Sequence, residues 1–251
     1  YQVVQGDSPL KVLRRMALGD VTARQVTLVE GWNLRQIRSA LAQHPDIKQT
    51  LGQISDTDLL KRINLQGQAS SLEGLFFPDT YIFSIGTADV ELLERAARTQ
   101  QKILERAWEN RAPNSVLKNP YEALILASII EKETGQAADR TRIAGVFSNR
   151  LRANMLLQTD PTVIYGLGES YGGKIRKQDL ITDTPYNTYT RAGLPPTPIA
   201  MPGKAALKAA MEPAPSNFLY FVAKGDGSHQ FSASLPEHNR AVQQYIFGKK
   251  P

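Results

Sequence analysis

The stretch NPYEALILASIIEKETG, Asn119–Gly135, decides how this chain is read. It opens on three agreeing helix-start signals: Asn119 as cap, Pro120 at the first helical position, and Glu122 three residues after the cap. An apolar run from Ala123 to Ile130 follows, and the helix is expected to reach Thr134, with Gly135 taking a left-handed cap. Two carboxylates, Glu131 and Glu133, sit just before that break. Residues two apart on a helix point about 200° away from each other, so only one of them can look into a given cleft. Glu133 continues the Ile125–Ile129 stripe and lies three after Ile130, whereas Glu131 continues the less bulky line of Leu124, Ala127 and Ser128. A carboxyl at the end of an Ile stripe is the better placed for partial desolvation. That raises its pKa, as a general acid at neutral pH requires, and the negative end of the helix dipole pushes the same way. Glu133 is therefore the first candidate. The plain alternative is a solvated helix tip, although uncompensated acids at a helix C-terminus are mildly unfavourable.

Two further constellations lie downstream. In Gln158-Thr159-Asp160-Pro161, Asp160 reads as a helix cap with Pro161 at the first position, and Gln158 and Thr159 are placed to present an amide and a hydroxyl to a ligand. In Tyr186-Asn187-Thr188-Tyr189, followed by Gly193-Leu194-Pro195-Pro196, aromatic and amide side chains alternate in a proline-braced loop. Such a loop suits sugar binding, because rings stack on pyranose faces and amides bond hydroxyls; equally, it suits packing on the core.

Outward from there, residues 1–66 read as a small unit. Tyr1–Val4 is a short strand, Ser8 and Pro9 start a helix that Gly19 ends, and Val26–Val29 is a second strand. Helices follow from Asn33 and from Ser55 or Asp56. The polar Gly67–Gly74 stretch is expected to be a linker. The second unit, 74–251, opens on Phe76, Phe77 and Tyr81, which are expected in the core. Helices are expected at about 87–108 and 139–152 and after Asp160, with loops and short strands over 166–203. Lys224-Gly225-Asp226-Gly227 signals a hairpin between 218–223 and 229–233, and Ser234 with Glu237 forms a capping box for a last helix. The fold class is α+β: a small α/β unit, then a mostly helical domain with short strands, a hairpin and a final helix.

Composition sets the outer bounds. With no cysteine, a disulfide framework, a Cys-based zinc site and a thiol nucleophile are excluded. His44, His229 and His238 fall in no metal-binding spacing, and His229 and His238 are expected to be structural or surface groups, so no metal or cofactor is implied. The longest apolar stretch is far short of the roughly 20 residues a membrane-spanning helix needs. The net charge of +6 favours anionic partners, but no long basic run or nucleic-acid motif points to nucleic acid.

LASIIEKET (126–134), VFSNRL (146–151), LQTDPTVIYG (157–166), YNTYTRAGLPPTPI (186–199) and SLPEHNR (234–240) together resemble the YceG-like family of endolytic murein transglycosylases, over about Gly74 to Tyr245. The opening Tyr1…Gly6-Asp7-Ser8 is similar to the family's small LysM-like region. The resemblance implies cleavage of the β-1,4 bond between N-acetylmuramic acid and N-acetylglucosamine, leaving a 1,6-anhydromuramyl end. It assigns the catalytic role to the second glutamate of the motif, Glu133. Gln158, Thr159, Tyr186, Asn187 and Tyr189 are expected around the cleft as binding groups, and Glu131 is expected to orient it through a salt bridge. It further implies peptidoglycan strands as partner, cell-wall synthases nearby, and a single-pass inner-membrane anchor upstream that leaves this region on the periplasmic side. The competing reading is a non-catalytic peptidoglycan-binding scaffold. Hydrolysis with Asp160 or Glu131 as base is a third.

Overall fold

A computed structural model describes residues 5–17 and 23–248. In chain order the elements are α1 (Pro9–Ala17), β1 (Ala23–Thr27), α2 (Leu34–Ala42), α3 (Asp56–Arg62), β2 (Thr80–Ser84), α4 (Asp89–Glu109), α5 (Pro120–Glu133), α6 (Ala137–Arg152), α7 (Asp160–Leu167), α8 (Lys177–Ile181), α9 (Lys204–Met211), β3 (Tyr220–Ala223), β4 (His229–Ser232) and α10 (Leu235–Tyr245). The architecture is α+β and mostly helical, with two short antiparallel ladders, β1–β2 and β3–β4. The Tyr1–Val4 strand and the Gly19 stop lie outside the described residues. No helix among the described residues is long and apolar enough to cross a membrane.

The core is built round α5. Every residue from Ala123 to Ile130 is buried, so this helix is apolar on all sides and has neighbours on all sides: α4, α6, α7 and α9. Each large aliphatic side chain enclosed in this way contributes roughly 1.5–3 kcal/mol. Ser128, wholly buried, donates to the Ile125 carbonyl at 2.7 Å and accepts the Ile199 N–H at 3.0 Å, which ties the loop before α9 to the central helix. Asn119 caps α5 as its sequence requires, accepting from the Glu122 N–H at 2.9 Å. Thr134 ends the helix in extended conformation, and Gly135 does not adopt the left-handed cap expected of it.

The N-terminal elements are fastened to this core at several points. β1 pairs with β2 from beyond the Gly67–Gly74 stretch, with Val26 opposite Tyr81. Tyr81 and Phe83 face inward and Ile82 outward, the alternation of a half-buried strand. Asp89, 1% exposed, accepts the Thr50 and Leu51 N–H groups. The stretch expected as a linker is no solvated tether, because Leu72, Glu73 and Gly74 are buried in it. Gly74 is required there: its φ is +79°, and a Cβ would lie 2.5 Å from Pro198. The 166–203 region holds loops, a 3-10 turn and α8, but none of the short strands expected of it.

Candidate active site

Because α5 stops at Glu133, that carboxyl projects from the end of the buried helix toward the start of α7. There Glu133 Oε1 accepts a short hydrogen bond from the Thr159 hydroxyl. Thr159 is 2% exposed and fixed in turn: its N–H donates to Thr188 Oγ1 at 3.1 Å, and its carbonyl accepts from Thr162 Oγ1 at 2.8 Å. Burial pushes the Glu133 carboxyl up to about 7; the Thr159 bond opposes this and the nearby Asp160 charge adds to it. The side chain still borders a cleft of about 530 Å³, walled by α7, β3 and α10 through Gln158, Asp160, Tyr189, Tyr220, Leu235 and His238 among others.

Thr159, not Asp160, is the N-cap of α7, and Asp160 is its first residue. Asp160 accepts from the Tyr189 hydroxyl at 2.5 Å. Burial and the Asp160 charge both raise the Tyr189 phenol's pKa, so it stays protonated. Gln158 takes a left-handed φ of +50°, uncommon for a residue with a side chain, and its N–H donates to the Thr188 carbonyl at 3.0 Å. Its side-chain oxygen accepts from Arg150 at 3.2 Å. The Arg150 guanidinium also donates to the carbonyls of Leu156, Leu157 and Leu219, so it ties the end of α6 to the segments that lead into α7 and β3.

Of the residues singled out from sequence, Glu133, Gln158, Thr159 and Tyr189 come together here. Asn187 does not join them. It is 1% exposed and its amide donates to the carbonyls of Asp179, Leu180 and Thr182, so it organises the loop from beneath. Tyr186 borders a different cavity, its hydroxyl 2.9 Å from Thr197 Oγ1. Glu131 turns the other way, as the helix geometry requires, and accepts the Gly203 N–H at 2.9 Å at the start of α9. It makes no ion pair among the described residues, so the salt bridge expected of it is replaced by a helix-start contact. His229 is structural, with Nδ1 3.0 Å from Asp139 Oδ2, whereas His238 lines the Glu133 cleft.

Two groups escaped sequence reasoning. Arg150 is one. The other is Glu73, 3% exposed, which accepts the Leu34 N–H at the start of α2 at 3.1 Å and the Tyr165 hydroxyl of α7 at 3.0 Å. Burial raises its carboxyl to about 7. A glutamate in a polar Gly/Ser-rich stretch carries no periodic signal, so only its flanking Leu72 and Leu75 hinted at burial.

The sequence model of the YceG-like family matches residues 1–244. The endolytic murein transglycosylase of Bacillus subtilis (strain 168) is 34% identical over 241 residues, covering 90% of this chain and 66% of its own length. That of Streptococcus pneumoniae serotype 2 (strain D39 / NCTC 7466) is 28% identical over 249 residues, covering 89% of this chain and 45% of its own. The chain thus spans just under two thirds of the first relative and less than half of the second. A crystal structure described as a yceG-like protein from Listeria monocytogenes superposes with a TM-score of 0.70 at 30% identity, over 95% of this chain and 82% of that one. With a family match across nearly its whole length and the same fold in that relative, the chain belongs to the YceG-like family.

Proposed function

We propose that this chain is a lytic murein transglycosylase that cuts the N-acetylmuramic acid–β-1,4–N-acetylglucosamine bond within glycan strands and leaves 1,6-anhydromuramyl ends. The observation that carries the reading is Glu133: one carboxyl, half-dry at a cleft, with its pKa raised to about 7. The names of the Bacillus and pneumococcal relatives support the same chemistry.

Glu133 Oε1 is occupied by the Thr159 hydroxyl, so the proton to be donated sits on Oε2. It passes to the glycosidic oxygen as the C1–O bond breaks, and the bonding pair leaves with that oxygen. The muramyl ring is left as an oxocarbenium ion. The Glu133 carboxylate then takes the proton of the muramyl C6 hydroxyl, and O6 bonds to C1. One group serves as acid and then as base, and no water is activated. The substrate N-acetyl oxygen and the oxygens of Tyr189 and Gln158 are the groups at hand for the developing positive charge. Peptidoglycan as substrate puts the reaction on the extracytoplasmic side, beside cell-wall synthases and below an anchor upstream of this segment. In this scheme residues 1–66, the LysM-like unit, hold the strand, and 74–251 cut it.

Glu133→Gln is expected to abolish release of anhydro ends from purified peptidoglycan while its circular dichroism spectrum and melting temperature stay close to those of the parent. Full activity in that variant would rule out Glu133 as the acid. Hydrolysis is the second reading, because Asp160 lines the same cleft and could serve as base. Mass spectrometry separates the two, since a hydrolytic product carries one water more than the anhydro product.

A further inference from the structure

A second cavity, about 820 Å³, is lined by α7 through Pro161, Ile164 and Tyr165 and by α2 through Leu34, Arg35 and Arg38. Its lining abuts that of the Glu133 cleft at two places in the chain: Lys132 beside Glu133, and Pro161 beside Asp160. The two hollows therefore flank the same helix junction, where the scissile bond is proposed to lie. Their chemistry differs. The Glu133 cleft has one guanidinium, Arg150, already engaged by backbone carbonyls. The second cavity has Arg35, Arg38 and Lys132 on its lining.

These cations are available to a ligand. Arg35 meets Glu169 at 2.8 Å and Arg38 meets Asp56 at 2.5 Å, but all four side chains are well exposed, and such pairs exchange for a better partner at little cost. Lys132 is exposed and makes no ion pair among the described residues; its ammonium lies 3.3 Å from the Gly31 carbonyl. Within the cavity, Tyr165 and Tyr186 meet edge to face with centroids 4.9 Å apart. Their hydroxyls turn to Glu73 and Thr197.

Sugar rings of the strand are uncharged apart from the lactyl branch of the muramyl residue, and that branch bears a short peptide. The free carboxylates of a peptidoglycan strand are on this peptide stem. We propose that the second cavity seats the carboxylate-bearing peptide stem of the muramyl residue at the cleaved bond, with Lys132 and Arg35 as its anion contacts, and so makes cleavage selective for stem-bearing strands. The inference rests on the murein-cleaving function proposed above.

The test compares glycan strands with intact stems against the same strands stripped by an amidase, which frees the lactyl carboxylate on the ring but removes the stem and the carboxylates it carries. The parent protein is expected to cleave the stem-bearing form with a kcat/KM about tenfold higher, the scale of one or two charge-assisted hydrogen bonds. In the double variant Arg35→Ala/Lys132→Ala, both surface changes, the ratio should fall toward one through a rise in KM on stem-bearing strands. Strand binding to Glu133→Gln, followed without cleavage, should show the same preference. Equal handling of both strands by the parent, or equal losses on both in the double variant, overturns the stem site and leaves the lyase standing. A binding preference without any anhydro product upholds the stem site and overturns the lyase.

Discussion

Around Glu133 two neighbours act in opposite directions. The Thr159 hydroxyl stabilises the carboxylate and the Asp160 charge disfavours it, both against a larger effect of burial. The role proposed for Glu133 requires the protonated acid, so the rate is expected to fall as pH rises through about 7. Thr159→Val should move that falling limb to higher pH and cost roughly tenfold in kcat, while Thr159→Ser restores the parent profile. Asp160→Asn should move the limb to lower pH. The pH dependence of kcat/KM for anhydro-end release, measured on all three, checks both signs. The burial of Glu133 was legible from the phase of its helix, since an Ile stripe that runs into a carboxylate points that carboxylate toward apolar surroundings. Its partner was not: Thr159 lies 26 residues on, and only the folded α5–α7 junction brings the two together. Asn187 misled for a related reason. An amide between tyrosines looks like a sugar contact until its loop closes over it.

Helix starts carried their own signatures, and the caps at Asn119 and Ser234 stand where those signatures put them. Asn119→Ala is expected to cost about 1 kcal/mol in urea unfolding. Ser128→Ala would strand the buried Ile199 N–H and should cost about 1–3 kcal/mol with no change in the pH profile. The α2–α7 clasp made by Glu73 titrates. Folded, its carboxyl keeps a proton to about pH 7; unfolded, it releases it near 4.5. The unfolded chain therefore binds fewer protons between those values, and this group's stabilisation, whole below about 4.5, is lost as pH rises to about 7. Relative to Glu73→Gln, the parent should lose on the order of 3 kcal/mol across that window, read from denaturant melts at pH 4.5 and 8. The 166–203 segment was the least legible, because its conformation follows from contacts with α5 and α7, such as Ser128 to Ile199, and not from any local period.

At the scale of the molecule, the composition shift near Gly67 suggested a seam, but hydrogen bonds cross it. A chain beginning at residue 74 would leave β2 without its partner strand and Asp89 without the Thr50 and Leu51 donors. Such a truncation is expected to melt at least about 5 °C lower than the full chain by calorimetry, since a few kcal/mol moves a protein of this size by that much. What sequence could not supply was this stitching, which depends on residues far apart in the chain. The walls of the Glu133 cleft have a consequence for biosynthesis. Tyr220, Leu235, His238 and Val242 all lie far downstream of Glu133 in the sequence. During synthesis Glu133 therefore leaves the ribosome well ahead of the side chains that wall its trough, so the proposed acid has no complete cleft until the segment through Val242 has emerged and packed.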